Sequence, residues 1–363
     1  MIFMQDLIAQ CEAKVLAGQD LSIDEGEGLL AAARDGQLES LLGAADRVRR
    51  HFLGDEVHLC SIVNAKSGRC SEDCGFCAQS VRFQTGIEEF ALIDGEQAKA
   101  AAREAATNGS EALGLVAAWR GLSAGTELDN VCDVIRDVSE QGQVHCDASL
   151  GLIDDPQVAE RLAEAGLHTY NHNLESARSH FESTVGSHSY DDRLRTLRLV
   201  REAGMSVCSG GIVGMGESPR QRVELAVELR ELDPDMVPLN FLNPIEGTPL
   251  GDGGETLSAE EALATLSVFR LMLPRHHIMV AGGREVVLGE MVERMYEAGA
   301  SATMVGDYLT TGGTPAADDL ALLDRQGLQA RGRAVQPGPG RAARLPDSPR
   351  PGPGQRDPSP AGA

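Results

Sequence analysis

Glu56-Val-His-Leu-Cys-Ser-Ile-Val63 runs directly into Asn64-Ala-Lys-Ser-Gly-Arg-Cys70-Ser-Glu-Asp-Cys74-Gly-Phe-Cys77. The first stretch is short, apolar and β-branched, the make-up of a buried strand. The second crowds three cysteines into the loop that follows it. Working outward, the same alternation continues along the chain. Strand candidates lie near 56–63, 110–116, 143–147, 168–172, 206–211, 236–241, 276–281 and 300–304. Amphipathic helical stretches separate them near 95–108, 127–140, 155–166, 189–204, 218–232, 258–273 and 284–298, with a last one near 315–326. Eight consecutive βα units predict an α/β fold, a closed (β/α)8 barrel of the TIM type, because a doubly wound open sheet usually has fewer consecutive parallel strands. Chemistry is then expected at the strands' C-terminal ends, where the cysteine loop begins.

Helical patterns at 6–16, 24–33 and 38–52 precede the first strand and predict an N-terminal helical cap over 1–53, with the barrel at 54–330. The remainder, 331–363, holds eight of the sixteen prolines and lacks apolar periodicity, so it reads as a disordered tail. A hydrophobic fraction of 42% with 24% charged residues excludes a fibrous or wholly disordered chain. The net charge of −23 disfavours a nucleic-acid partner. Apolar runs such as Leu113 to Trp119 fall far short of the ~20 residues that a membrane helix needs, and the N-terminus lacks a signal pattern. A cytoplasmic protein with no membrane partner is expected.

Of the cysteines at 11, 60, 70, 74, 77, 132, 146 and 208, three fall in C-x3-C-x2-C spacing. Cys70, Cys74 and Cys77 suit a [4Fe-4S] cluster held by three thiolates, whose open iron is free to bind a small molecule, with Phe76 packed beside it. A zinc site would need a fourth ligand; the loop holds no histidine, and His58 lies a full strand upstream. Cys11 and Cys132 match no motif and read as core residues. Asp191-Asp192 and Arg284-Glu285 sit at helix starts and read as capping. No hydrolase elbow or phosphate loop is present. Asn171 and Asn173, two apart at the end of the fourth strand, share a face and point into the barrel mouth.

The C-x3-C-x-aromatic-C loop after the first strand resembles the radical S-adenosylmethionine enzymes, and the run from Asn64 to Cys74 is similar to the biotin synthase family among them. Ala117-Ala-Trp119, Tyr170-Asn-His-Asn-Leu-Glu175, Val207-Cys-Ser-Gly-Gly-Ile-Val-Gly214 and Glu246-Gly-Thr-Pro249 carry the likeness onward, in order, over residues 55–325. The resemblance implies that the open iron chelates S-adenosyl-L-methionine. Its reductive cleavage gives a 5'-deoxyadenosyl radical that abstracts hydrogen from dethiobiotin, and sulfur insertion yields biotin. It also implies a flavodoxin or ferredoxin electron donor, iron–sulfur assembly machinery and a homodimer. Cofactor contacts would come from Phe76, Asn173, Glu175, Arg193 and the glycine run Gly210, Ile212, Gly214. Asn171, Asn173 and Asn240 would hold the substrate's ureido ring. Without the resemblance, the glycines read as a tight βα turn and Arg193 as an exposed helix charge.

Better-known members hold a [2Fe-2S] cluster through three cysteines and an arginine, and use it as the sulfur donor. By this resemblance Cys146 and Cys208 match, whereas Gly114 and Met279 occupy the other two positions. Cys60 has appeared on the first strand. Cys60, Cys146 and Cys208 fall on strands one, three and five, which share a barrel layer, so the three thiols are expected to meet on the axis if all face inward. An altered auxiliary cluster, four-iron with an extra sulfide, is the resulting expectation; buried core cysteine is the plain alternative. The rival functions are a maturase or mutase barrel without sulfur insertion, and a non-catalytic iron–sulfur carrier.

Overall fold

The computed structural model describes residues 2–251, 257–309 and 312–331. Its parallel strands are β1 (Glu56–Lys66), β2 (Ala112–Ala117), β3 (His145–Ser149), β4 (Thr169–Asn171), β5 (Ser206–Cys208), β6 (Gly211–Val213), β7 (Met236–Phe241), β8 (His277–Val280) and β9 (Ala302–Met304). β1 pairs with both β2 and β9, which closes the barrel. β5 and β6 are one strand position interrupted at Ser209 and Gly210, since both pair with β7. The closed eight-position barrel is therefore the architecture anticipated from the alternation.

Two departures have local causes. The helix expected over 284–298 is a short α-helix, Arg284–Val287, followed by a 3-10 turn, Gly289–Met295. Gly289, the first residue of the turn, lies at φ +49°, outside the α-helical region. A further short strand, β10 (Gln329–Ala330), pairs in parallel with Glu56 and Val57 of β1. Two residues carry no periodicity, so the sequence gives no sign of it.

Crossover helices are delimited by local chemistry. Asp94 with Gln97, Ser189 with Asp192, and Ser218 with Gln221 form capping boxes, each satisfying otherwise orphaned amides for about 1 kcal/mol. The Ser189 box fixes where helix Tyr190–Glu202 begins and so places Arg193, one turn in. The N-terminal helices Ile2–Leu16, Ile23–Ala32 and Leu38–Leu53 pack on Pro219–Leu232 and Ala259–Met272. Ion pairs Arg34–Glu261 (2.9 Å) and Arg220–Asp24 (3.1 Å) tie that layer to the barrel. The segment expected to be a disordered tail lies outside the described residues, apart from Arg331.

Residues paired in register on neighbouring parallel strands face the same side. Ile62, Gly114, Asp147 and Thr169 are so aligned, as are Leu113 and Cys146. The apolar core divides accordingly. A large cluster, including Leu113 and Cys146, fills the space between sheet and helices. A separate, sulfur-rich one, Cys208, Met236, Met279, Ala281 and Ala302 with Cys60 and Met304, fills the barrel.

Candidate active site

The loop after β1 is held open by its own hydrogen bonds. Gly68 and Arg69 adopt positive φ and reverse the chain. Cys70 N–H donates to the Gln79 carbonyl (3.0 Å), Val81 N–H to the Cys70 carbonyl (2.9 Å), and Cys77 N–H to the Cys74 carbonyl (2.9 Å). Gly75 N–H donates to the Thr184 carbonyl (2.8 Å), anchoring the loop to the segment after β4. Glu72 reinforces that junction: Ser187 Oγ and His188 Nδ1 bind one carboxylate oxygen, while Arg120 lies 3.1 Å from the other. Asp73 accepts from the Gly186 and Ser187 amides at 2.9 and 2.8 Å.

Cys70, Cys74 and Cys77 line one cavity of about 190 Å3 at the C-terminal end of the barrel. Phe76, Trp119, Asn171, Asn173, Glu175 and Arg193 line it with them. Burial raises all three thiol pKa values, that of Cys77 to about 11. Three buried thiols are costly as thiolates in the bare protein, and bound cationic iron removes that cost. Among the described residues, no three Cys, His, Asp or Glu side chains are gathered closely enough to hold a single metal ion. A cube needs less crowding, since each thiolate takes its own iron corner.

The opposite wall is polar and incompletely satisfied. Arg193, 5% exposed, donates from Nη1 to the Asn173 carbonyl (2.8 Å) and to Glu175 Oε1 (3.2 Å). It is thus a buried cavity residue, not an exposed helix charge. Glu175 holds φ +69°, a strained conformation for a non-glycine residue, with its carbonyl bonded to the Ile212 amide (2.7 Å). Arg193 Nε, Glu175 Oε2, Asn171 Oδ1 and Trp119 Nε1 are buried without hydrogen-bond partners. Unsatisfied donors and acceptors facing a common cavity fit a ligand that carries both an amine and a carboxylate, as S-adenosylmethionine does. These residues therefore fit a four-iron cluster with its bound cofactor.

Other residues singled out from the sequence stand differently. Gly210, Ile212, Gly214 and Asn240 do not line the cavity. A Cβ on Gly210 would lie 1.8 Å from the Pro238 carbonyl oxygen, so strand packing alone demands glycine there. Gly214, at φ +101°, donates its amide to Glu217 Oε1 (2.9 Å), which accounts for the glutamate of the same run. Asn240 is engaged with the Gly211 carbonyl (3.3 Å) and the Gly282 amide (2.9 Å). Asp192 caps its helix as expected. Arg284 instead is fully buried, 2.7 Å from Asp319. Glu72 and His188 were not legible in advance, being partners 116 residues apart.

The expected meeting of three thiols inside the barrel requires correction. Cys60 and Cys208 face the interior, but Cys146 faces the helix layer, where it interacts with Ser139 of helix Thr126–Gln141. Its neighbour Asp147 takes the inward position.

Residues 65–229 match the Radical SAM superfamily, and residues 238–329 match the Biotin and Thiamin Synthesis associated domain. Biotin synthase of Geobacter sulfurreducens is 48% identical over 88% of this chain and 96% of its own length. The chain belongs to the biotin synthase family. Biotin synthase of Geotalea daltonii is 45% identical over 85% of this chain and 93% of its own. This family member is therefore a radical S-adenosylmethionine sulfurtransferase, with a four-iron cluster and S-adenosylmethionine as cofactors. Methylornithine synthase (TM-score 0.77, 21% identity, 88% and 97% of the two chains) shares the fold. So does the FeFe-hydrogenase maturase HydG of Carboxydothermus hydrogenoformans (TM-score 0.73, 17% identity, 88% and 78%). At those identities the likeness is one of fold, and it does not favour the maturase or mutase reading. The family carries an auxiliary two-iron cluster, but a ligand set of three cysteines and an arginine does not fit this interior, where only Cys60 and Cys208 supply thiols among the described residues.

Proposed function

We propose that this chain converts dethiobiotin to biotin, with Cys70, Cys74 and Cys77 holding the four-iron cluster and Asn173, Glu175 and Arg193 holding S-adenosylmethionine against it. One observation carries the assignment of residues: three cysteines and a set of unpartnered polar atoms line the same cavity. Held by those three thiolates, the cluster would supply one-electron reduction of S-adenosylmethionine, the chemistry that gives methionine and a 5'-deoxyadenosyl radical. The chain's own residues then position and exclude. Arg193, fixed by Asn173 and Glu175, offers Nε to the cofactor carboxylate. Glu175 Oε2 is the free acceptor beside it for a ribose hydroxyl or an ammonium group. Phe76 and Trp119 give the cavity apolar walls that keep water from the radical. Asn171, on the inward face of β4 with Oδ1 unpartnered, holds the ureido group of dethiobiotin together with Asn173. Asn240 contributes to that subsite after exchanging its present backbone partners. Gly210, Ile212 and Gly214 shape the backbone behind the cofactor. A flavodoxin or ferredoxin supplies electrons, and the reaction takes place in the cytoplasm.

The test is product analysis. Anaerobically loaded protein, given S-adenosylmethionine, dethiobiotin and a reductant, is expected to form biotin together with 5'-deoxyadenosine. Cofactor cleavage without biotin would overturn the substrate assignment, and no cleavage at all would leave an iron–sulfur carrier.

A further inference from the structure

We propose that Glu72 and Asp73, the two acidic residues between the first and second cysteines of the loop, are positioning residues for cofactor binding. They fasten the cysteine loop to the start of the helix that carries Arg193, and so fix the three thiolates relative to the group that takes the cofactor carboxylate. The inference rests on the reading of the cavity above and concerns what holds its two sides in register.

The two sides come from distant parts of the chain: the cysteines follow β1, and Arg193 lies on helix Tyr190–Glu202. A ligand that must reach iron and guanidinium together binds well only if their separation is fixed beforehand. Glu72 and Asp73 bridge that gap. Asp73 Oδ1 accepts from the Gly186 and Ser187 amides at 2.9 and 2.8 Å, and the Asp73 amide donates to Ser187 Oγ (3.2 Å). Glu72 takes Ser187 Oγ and His188 Nδ1 on one carboxylate oxygen. Arg120, 3.1 Å from its other oxygen, also donates to the Ser187 carbonyl (3.3 Å). Residues 186–188 directly precede Ser189, the N-cap, and Arg193 stands one turn beyond it. His188 and Arg193 moreover share a packing surface, since the Phe181 ring lies 5.7 Å from the imidazole and 5.5 Å from the guanidinium.

On the loop side the connection is shorter still. The Glu72 amide is hydrogen-bonded to the Cys70 sulfur, and Asp73 adjoins Cys74 in the chain. Glu72 therefore touches a cluster thiol with its backbone and the approach to the helix with its side chain. The carboxylate is not there to favour the thiolates: its charge opposes ionisation of both Cys70 and Cys74. That placement is unfavourable for the loop alone, and its partners Ser187 and His188, both on the segment leading into the helix, show what offsets it. Glu72 and His188 are both buried, so water does not compete for the bond between them. Cys70, Cys74, Cys77, Glu72, His188 and Arg193 all line the one cavity, which puts the fastening beside the ligand that it serves.

The experiment uses the full chain, loaded anaerobically with iron and sulfide and left oxidised so that no turnover occurs. Iron is counted per chain, and S-adenosylmethionine binding is measured by equilibrium dialysis. The variants are Glu72→Ala, Asp73→Ala, Asp73→Asn, Arg193→Lys, and each alanine substitution combined with Arg193→Lys. The expected result is native iron content throughout, with binding weakened roughly tenfold by Glu72→Ala and by Asp73→Ala. Asp73→Asn, whose side-chain oxygen still accepts from the Gly186 and Ser187 amides, binds nearly as the native chain does. In the Arg193→Lys background the alanine substitutions add little, because they act through that residue. Unchanged binding in the single variants, full additivity with Arg193→Lys, or loss of iron overturns the inference, the last by making the two acids fastenings of the cluster alone. Circular dichroism confirms that each variant is folded; should Glu72→Ala not fold, Glu72→Gln takes its place in the same cycle. No dethiobiotin is present, so a chain that binds the cofactor as described but makes no biotin sinks only the functional reading, whereas a native chain that binds no S-adenosylmethionine sinks both.

Discussion

Arg193 and Glu175 meet at 3.2 Å on the cavity wall, and each keeps one polar atom, Nε and Oε2, without a partner. The arrangement comes from two sequence-distant features. Helix Tyr190–Glu202 is started by the Ser189 capping box, and the backbone of Glu175 is turned to positive φ against Gly211, where a Cβ would come within 2.6 Å of the Glu175 carbonyl oxygen. A guanidinium held by one carboxylate and one carbonyl, with a donor to spare, is pre-oriented for a second carboxylate.

Arg193→Lys is therefore expected to weaken S-adenosylmethionine binding by about tenfold or more, the equivalent of one lost charge-assisted hydrogen bond. The iron content of the first cluster should stay unchanged. Steady-state cleavage of the cofactor, with KM separated from kcat, checks it. An unchanged KM would remove Arg193 from the cofactor site.

Glu72 gives a pH-dependent prediction. Burial opposes its ionisation, but hydrogen bonds from His188 and Ser187 and the charge of Arg120 outweigh it, so its folded pKa lies below the ordinary 4.5. A depressed carboxylate pKa contributes stability that is present above the unfolded value and lost as pH falls through the folded one. Native protein should therefore lose melting temperature below about pH 4.5 more steeply than Glu72→Gln. At pH 7 the variant should be less stable by roughly 1–3 kcal/mol, the cost of a broken buried network. Thermal melts of both from pH 3 to 7 decide the point; parallel curves would contradict it.

How far the sequence reveals this molecule depends on which interactions are local. Strand positions and the helix starts at Asp94, Ser189 and Ser218 were readable because hydrophobic period and capping chemistry act within a few residues. The cysteine loop was readable because its ligands are adjacent. The inward residue of β3 was not: Cys146 and Asp147 are neighbours, and a one-residue change of phase exchanges the barrel axis for the helix layer. Only the pairing of Gly114 with Asp147 fixes that phase. Gly210 was read toward a ligand, whereas its constraint is the Pro238 carbonyl, 28 residues away in sequence and in contact only once β7 is in place. Glu72 and His188 likewise become partners only when the barrel brings β1 and the segment after β4 together.

The glycines allow a graded test. Gly210→Ala places a Cβ 1.8 Å from the Pro238 carbonyl oxygen, so one of the two backbones must shift. It should cost about 3 kcal/mol or more and reduce soluble yield. Gly216, at φ +89°, has open space around it, so Gly216→Ala should incur only left-handed backbone strain of about 1 kcal/mol. Denaturant unfolding of the two variants measures the difference, and equal losses would mean that Pro238 moves freely.

The ion pair of Arg284 with Asp319, 2.7 Å apart and almost wholly inaccessible, fastens helix Ala316–Gln326 to the base of helix Arg284–Val287. Thr303 of β9 accepts from the same guanidinium at 2.7 Å, so helix, strand and last crossover share one centre. Removing Asp319 leaves the buried guanidinium with the partly exposed Glu285, 3.0 Å away, as its remaining carboxylate. Asp319→Ala should thus cost about 3–5 kcal/mol, whereas Arg284→Met combined with Asp319→Leu, which removes both charges and restores volume, should cost much less. A double-mutant cycle in urea supplies the comparison. If the double variant were as unstable as Asp319→Ala, the pair would be stabilising in its own right, and its role would extend beyond relieving the burial of Arg284.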